Sequence, residues 1–113
     1  MDIKCRRIGM YMINIDVAKD FSRTPFGRYK SDGNNSAERF REDILIPKLQ
    51  SDDELTIDFS KVALGVGSSF LEETFGGLVR AGFDKVELSA RLTIKDKLGY
   101  YEKQVKHFID VAG

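Results

Sequence analysis

Apolar and polar positions along this chain follow two different periods, and the switches between them mark out its elements. Ile8–Ile15 is apolar on both alternating faces, the pattern of a central strand covered on both sides. The segment Ile3–Arg7 is placed to pair with it as a short hairpin. From Phe21 to Asn35 the period disappears, and Pro25, Gly27, Asp32, Gly33 and Asn34-Asn35 supply turn formers instead. Ordinary connections run about 2–6 residues, so a stretch this long is expected to be either functional or disordered.

A helix is predicted from Ser36, with Ala37, Phe40, Ile44 and Leu45 inside and Arg39, Arg41, Glu42 and Asp43 outside. Pro47 lacks an amide donor, so the helix should stop or kink near Ile46. Glu54–Phe59 alternates cleanly and reads as a strand, with Leu55, Ile57 and Phe59 on one face. Ser69 followed by Glu72 reads as a capping box opening a second helix. Its inner stripe is Leu71, Phe75, Leu78 and Val79, and Gly82 ends it. Gly76-Gly77 inside that helix costs about 1 kcal/mol per residue against alanine, which close approach to a strand or a partner surface would offset. Lys85–Ser89 reads as a short strand around Val86 and Leu88. A tail helix carries Ile94, Leu98, Tyr101, Val105, Phe108 and Ala112, with Thr93 and Asp96 as its cap. Strands alternating with helices predict an α/β fold: a small mixed or mostly parallel sheet with about three helices packed on it. Leu55, Ile57, Phe59, Phe75 and Leu78 are expected to meet in one core.

Composition narrows the function classes. At 113 residues, 42% hydrophobic and 32% charged, the chain is expected to form one domain over 1–113. Eighteen basic residues balance eighteen acidic ones, so neither nucleic acid nor an anionic membrane is an expected partner. Cys5 has no second cysteine to pair with, no apolar run approaches the ~20 residues of a membrane span, and Met1-Asp2-Ile3-Lys4 lacks a signal peptide's apolar stretch. A cytoplasmic location is expected. One histidine and one cysteine exclude a structural zinc cage within one chain, and no metal or cofactor is expected. Charge is uneven locally: residues 1–50 carry ten basic and seven acidic side chains, 51–113 eight and eleven. Arg23, Arg28 and Lys30 lie together in the aperiodic stretch.

Catalytic constellations are weak. His107 lies off the apolar stripe of the tail helix and reads as a surface residue. Cys5, despite Lys4, Arg6 and Arg7 around it, reads as a small apolar residue. The neighbours Asp52-Asp53 and Glu72-Glu73 cannot converge on one substrate atom. Gly65-Val66-Gly67-Ser68-Ser69 lacks the Gly-Lys-Ser/Thr ending of a phosphate loop. No enzymatic activity is expected.

Leu55–Val62 followed by Gly67–Leu78, a strand ending in Asp-Phe-Ser-x-Val and then a serine pair opening an apolar helix, resembles the STAS domain. That family is named for sulfate transporters and anti-sigma factor antagonists. The chain is most similar to the STAS-like family of unassigned function in bacteria and their mobile elements. The residues that carry this are Pro25-Phe26-Gly27-Arg28, Gly33 with Ser36, Phe40-Arg41, Asp58-Phe59, and Ser68-Ser69-Phe70 with Glu73. The resemblance implies a STAS-like fold and a regulatory, protein-interaction role. It implies a partner such as an ATPase of the histidine-kinase-like fold, and makes Ser68 the candidate phosphoacceptor. The aspartate that precedes the serine pair in antagonists is Gly67 here, and the glycine after it is Phe70. Arg23, Arg28, Ser69, Phe70, Glu73, Gly76 and Gly77 are the expected partner or anion contacts. A second reading holds a nucleotide or other small anion between the Arg23/Arg28 loop and the amides at the Ser68-Ser69 helix start. A third makes that loop part of an enzyme.

Overall fold

The computed structural model describes residues 12–51 and 53–113. Among the described residues the sheet has three parallel strands in the order β1 (Met12–Asp16), β2 (Glu54–Asp58), β3 (Leu92–Lys95). Register aligns Ile13 with Leu55 and Leu92, and Ile15 with Ile57 and Ile94. These two rows make one apolar face, while Asn14, Thr56 and Thr93 make a polar row on the other. Alternation therefore decides which face the helices cover. Asp16, Asp58 and Lys95 close the three strands at a common end.

A single turn, α1 (Val17–Asp20), follows β1, and the 21–35 loop leads to α2, which spans 37–49. After β2 comes α3, spanning 68–80, then α4 (Lys85–Arg91), β3 and α5 (Tyr101–Val111). α3 packs between α2 and α5. Leu55, Ile57, Phe59, Phe75 and Leu78 share one buried cluster, as their spacing predicts. Phe40 is its aromatic hub, with ring centroids 5.0 Å from Phe21, 6.3 Å from Phe59 and 6.1 Å from Phe70. Ser36 caps α2 by accepting from the Arg39 amide. At the other end of α3, Gly82 takes φ +109°, the Phe83 amide reaches the Leu78 carbonyl and the Gly82 amide that of Val79. That left-handed residue with two reversed hydrogen bonds is a Schellman ending, which glycine adopts without a Cβ clash.

Several expectations need correcting. Lys85–Ser89 is helical, because Asp84 accepts from the Glu87 amide and Leu88 and Arg91 are buried three residues apart while Val86 is exposed. The third strand lies at Leu92–Lys95 instead, where burial alternates with period two. Thr93 and Ile94 thus belong to the sheet, the tail helix begins only at Tyr101, and Asp96 accepts from the Tyr100 and Tyr101 amides just before it. Among the described residues the central strand is β2, and Met12 and Asn14 of β1 are exposed. The rest of the strand expected at Ile8–Ile15, its hairpin partner Ile3–Arg7, Cys5 and Asp52 lie outside the described residues. Pro47 does not end α2. The turn before it widens to i→i+5 bonding over Phe40–Leu45, with the Ile46 amide reaching Arg41, and the helix runs on to Leu49. A wide turn is one way to carry a helix past a residue that cannot donate.

Candidate functional site

The long loop is ordered by its backbone. The Phe26 amide bonds the Asn35 carbonyl, and the carbonyls of Gly27 and Arg28 accept from Ala37 and Glu38, two amides of the first turn of α2. Asp32 accepts from the Arg28 and Tyr29 amides at 3.1 and 2.9 Å. The Arg28 guanidinium is thereby pointed across to α3, where it meets Glu72 at 2.7 Å and Glu73 at 3.1 Å.

There it joins a larger lattice. Arg41 of α2 donates to the Glu73 backbone carbonyl and, at 3.0 Å, to its carboxylate. Arg80 pairs with Glu72 at 2.8 Å and lies 3.8 Å from Glu73. Glu42 extends the lattice outward, 3.6 Å from Arg41 and 2.8 Å from Lys30. Arg41 and Glu73 are both buried, at 9% and 8% exposure, so each needs the other to offset lost hydration. The hydrogen bond from Arg80 holds the Glu72 carboxyl below its ordinary value, burial opposes this, and Arg28 adds to it. Both helices have wide i→i+5 turns at this point, Phe40–Leu45 and Glu72–Gly76.

Four expectations change here. The Ser69–Glu72 capping box does not form: the cap of α3 lies two residues earlier, at Gly67, and Glu72 turns to two guanidinium groups. Charge-assisted bonds to arginine outweigh one bond to a neutral amide. Arg41 is not an outer residue of α2 but lies over α3. Gly76 and Gly77 are buried and present no free surface. A Cβ on Gly77 would fall 2.1 Å from the Arg41 Nη1, and one on Gly76 would fall 2.6 Å from Glu72 Oε2. The close approach that justifies the glycine pair is thus made by ion-pairing side chains, not by a strand or a partner. Phe70, expected as a contact, is 2% exposed in the aromatic core.

Of the expected site residues, Arg28 and Glu73 come together, and Arg23 stays exposed with its carbonyl accepting from Ala63. Ser68 and Ser69 are both exposed in the first turn of α3, and neither hydroxyl caps the helix. Arg28 spends its Nη1 on both carboxylates, so an anion arriving at Arg28 would meet their negative charge beside it. Arg80 escaped sequence reasoning, and the sequence places Arg41 in the motif but not in this lattice, since both sit among charged neighbours that look solvated. Asp84-x-x-Glu87 was a legible cap signal of the same form as the one assigned to Ser69. His107 is exposed, as its position off the stripe predicts.

No helix among the described residues is long and apolar enough to cross a membrane. A family model described as a STAS-like domain of unknown function matches residues 36–97, a span that runs from the Ser36 cap through β3. Comparison with curated proteins and with solved structures finds no match.

Proposed function

Since the chain belongs to the family of STAS-like domains of unknown function, we propose that it is a regulatory module without catalytic activity of its own, docking on a protein partner through the start of α3. The observation that carries this reading is Ser68. Its hydroxyl is exposed at the first position of a helix whose cap is Gly67, so it is left out of the helix's own hydrogen bonding. A phosphate there would sit at the positive end of α3, where the first amides lack internal partners. The partner class implied by likeness to anti-sigma factor antagonists is an ATPase of the histidine-kinase-like fold, with Ser68 as phosphoacceptor and Ser69 beside it. The anion-binding alternative is weakened by the commitment of Arg28 to Glu72 and Glu73.

The test is affinity capture from the native host with the wild-type chain, Ser68→Ala and Ser68→Glu, read by mass spectrometry. A partner ATPase held by wild type and Ser68→Ala but released by Ser68→Glu, with phosphate mapped to Ser68, is the expected result. Equal capture by all three variants, or phosphate found only at other residues, would overturn the assignment.

A further inference from the structure

All three strands are parallel, so the loops that follow them emerge at one end of the sheet. Between the loop after β2 and the loop after β3 lies a cleft of about 350 Å³. Its apolar walls are Phe59, Val62, Leu64, Leu98, Tyr100 and Tyr101. Leu64, Leu98 and Tyr100 are 75%, 71% and 64% exposed, three large apolar side chains left uncovered at one mouth. Ligand sites in open α/β sheets sit at the carboxyl ends of strands, and their volumes run about 300–1,000 Å³.

The hydrogen-bonding groups around this cleft are unevenly committed. Asp96, which lines it too, holds the Tyr100 and Tyr101 amides at 3.2 and 3.4 Å, one on each carboxylate oxygen, and the neighbouring Asp58 takes the Ser60 amide at 2.8 Å. The Tyr101 hydroxyl accepts from the Val66 amide at 2.6 Å, which leaves its own hydrogen to give. Lys97 lines the cleft, and no ion pair engages it among the described residues. Unspent donors over apolar walls call for a ligand with an apolar body and an acceptor-rich, negative end.

We infer that this cleft binds a small organic carboxylate with a one- or two-ring aromatic body, the ring lying against Leu64, Leu98 and Tyr100 and the carboxylate meeting the Lys97 ammonium and the Tyr101 hydroxyl. The inference goes beyond the docking role and is tested without Ser68 or any protein partner, so either can fail alone. The probes are 1-naphthoate and its neutral analogue 1-naphthamide, titrated into the full chain while the amide resonances of residues 63–65 and 97–101 are followed. Naphthoate should saturate shifts in both segments and bind about tenfold or more tightly than the amide, the scale of one charge-assisted contact. Lys97→Gln should abolish that preference, Lys97→Arg should keep it, and Leu98→Ser should weaken both probes alike. Equal affinity for the two probes, a preference that survives in Lys97→Gln, or no shift in these segments at millimolar naphthoate would each overturn the inference.

Discussion

Gly77→Ala tests whether the glycine pair exists for the ion lattice. Inside an exposed helix this substitution stabilises by about 1 kcal/mol, because alanine is the better helix former. Here the new methyl would lie 2.1 Å from Arg41 Nη1, 2.9 Å from its Cζ and 3.0 Å from its Cδ. The guanidinium must leave, and with it go both of its bonds to Glu73. Breaking a buried ion pair on one side costs about 3–5 kcal/mol. Glu73 keeps Arg28 at 3.1 Å, which holds the loss toward the lower figure. After the helix-propensity gain, a net destabilisation of about 2 kcal/mol is expected. Arg41→Ala removes the obstacle, so in that background Gly77→Ala should change sign and stabilise by about 1 kcal/mol. Urea denaturation of the wild type, both single variants and the double variant measures the cycle. A stabilising Gly77→Ala in the wild-type background, or the same increment in both backgrounds, would refute the reasoning.

Three further outcomes follow from the same geometry. Phe75→Ala should lower stability by about 3–5 kcal/mol in chemical denaturation, since Phe75 is fully buried under the sheet; an unchanged midpoint would mean that the inner face of α3 is misassigned. Arg91 is buried and donates to the carbonyls of Leu49, Ser51 and Asp53, tying the end of α2 to the entry of β2. Arg91→Met should cost about 2–3 kcal/mol by removing the donor those carbonyls share, with thermal unfolding as the measure. Glu72 has a folded-state pKa below its unfolded value, so its contribution is present above the unfolded value near about 4.3 and is lost as pH falls through the lower folded one. Wild-type stability should therefore fall more steeply on acidification below that point than that of Glu72→Gln, and parallel acid limbs in the two proteins would contradict this role.

Periodicity by itself determined the layer architecture, the α2 start at Ser36, the strand at Glu54–Asp58, the Gly82 ending and the five-residue core, because each rests on local spacing or a backbone preference. The motif residues Arg28, Phe40, Arg41, Phe59, Phe70 and Glu73 were also visible as a set, though not as what they are. Only the tertiary structure shows that Phe40 meets Phe59 edge-on and stacks on Phe70, and that Arg28, Arg41 and Glu73 form one ion lattice across three segments. A charge's partner 30 or more positions away leaves no period in the chain, so Arg41 looked solvated and Gly77 looked like an interface. The boundary between α4 and β3 failed for a different reason. Val86 and Leu88 alternate over too short a span to separate strand from helix, and the Asp84 cap and the burial of Arg91 decide it. The cleft between the loops after β2 and β3 was illegible as well, because it is assembled from two connections that meet only because their strands run parallel and adjacent.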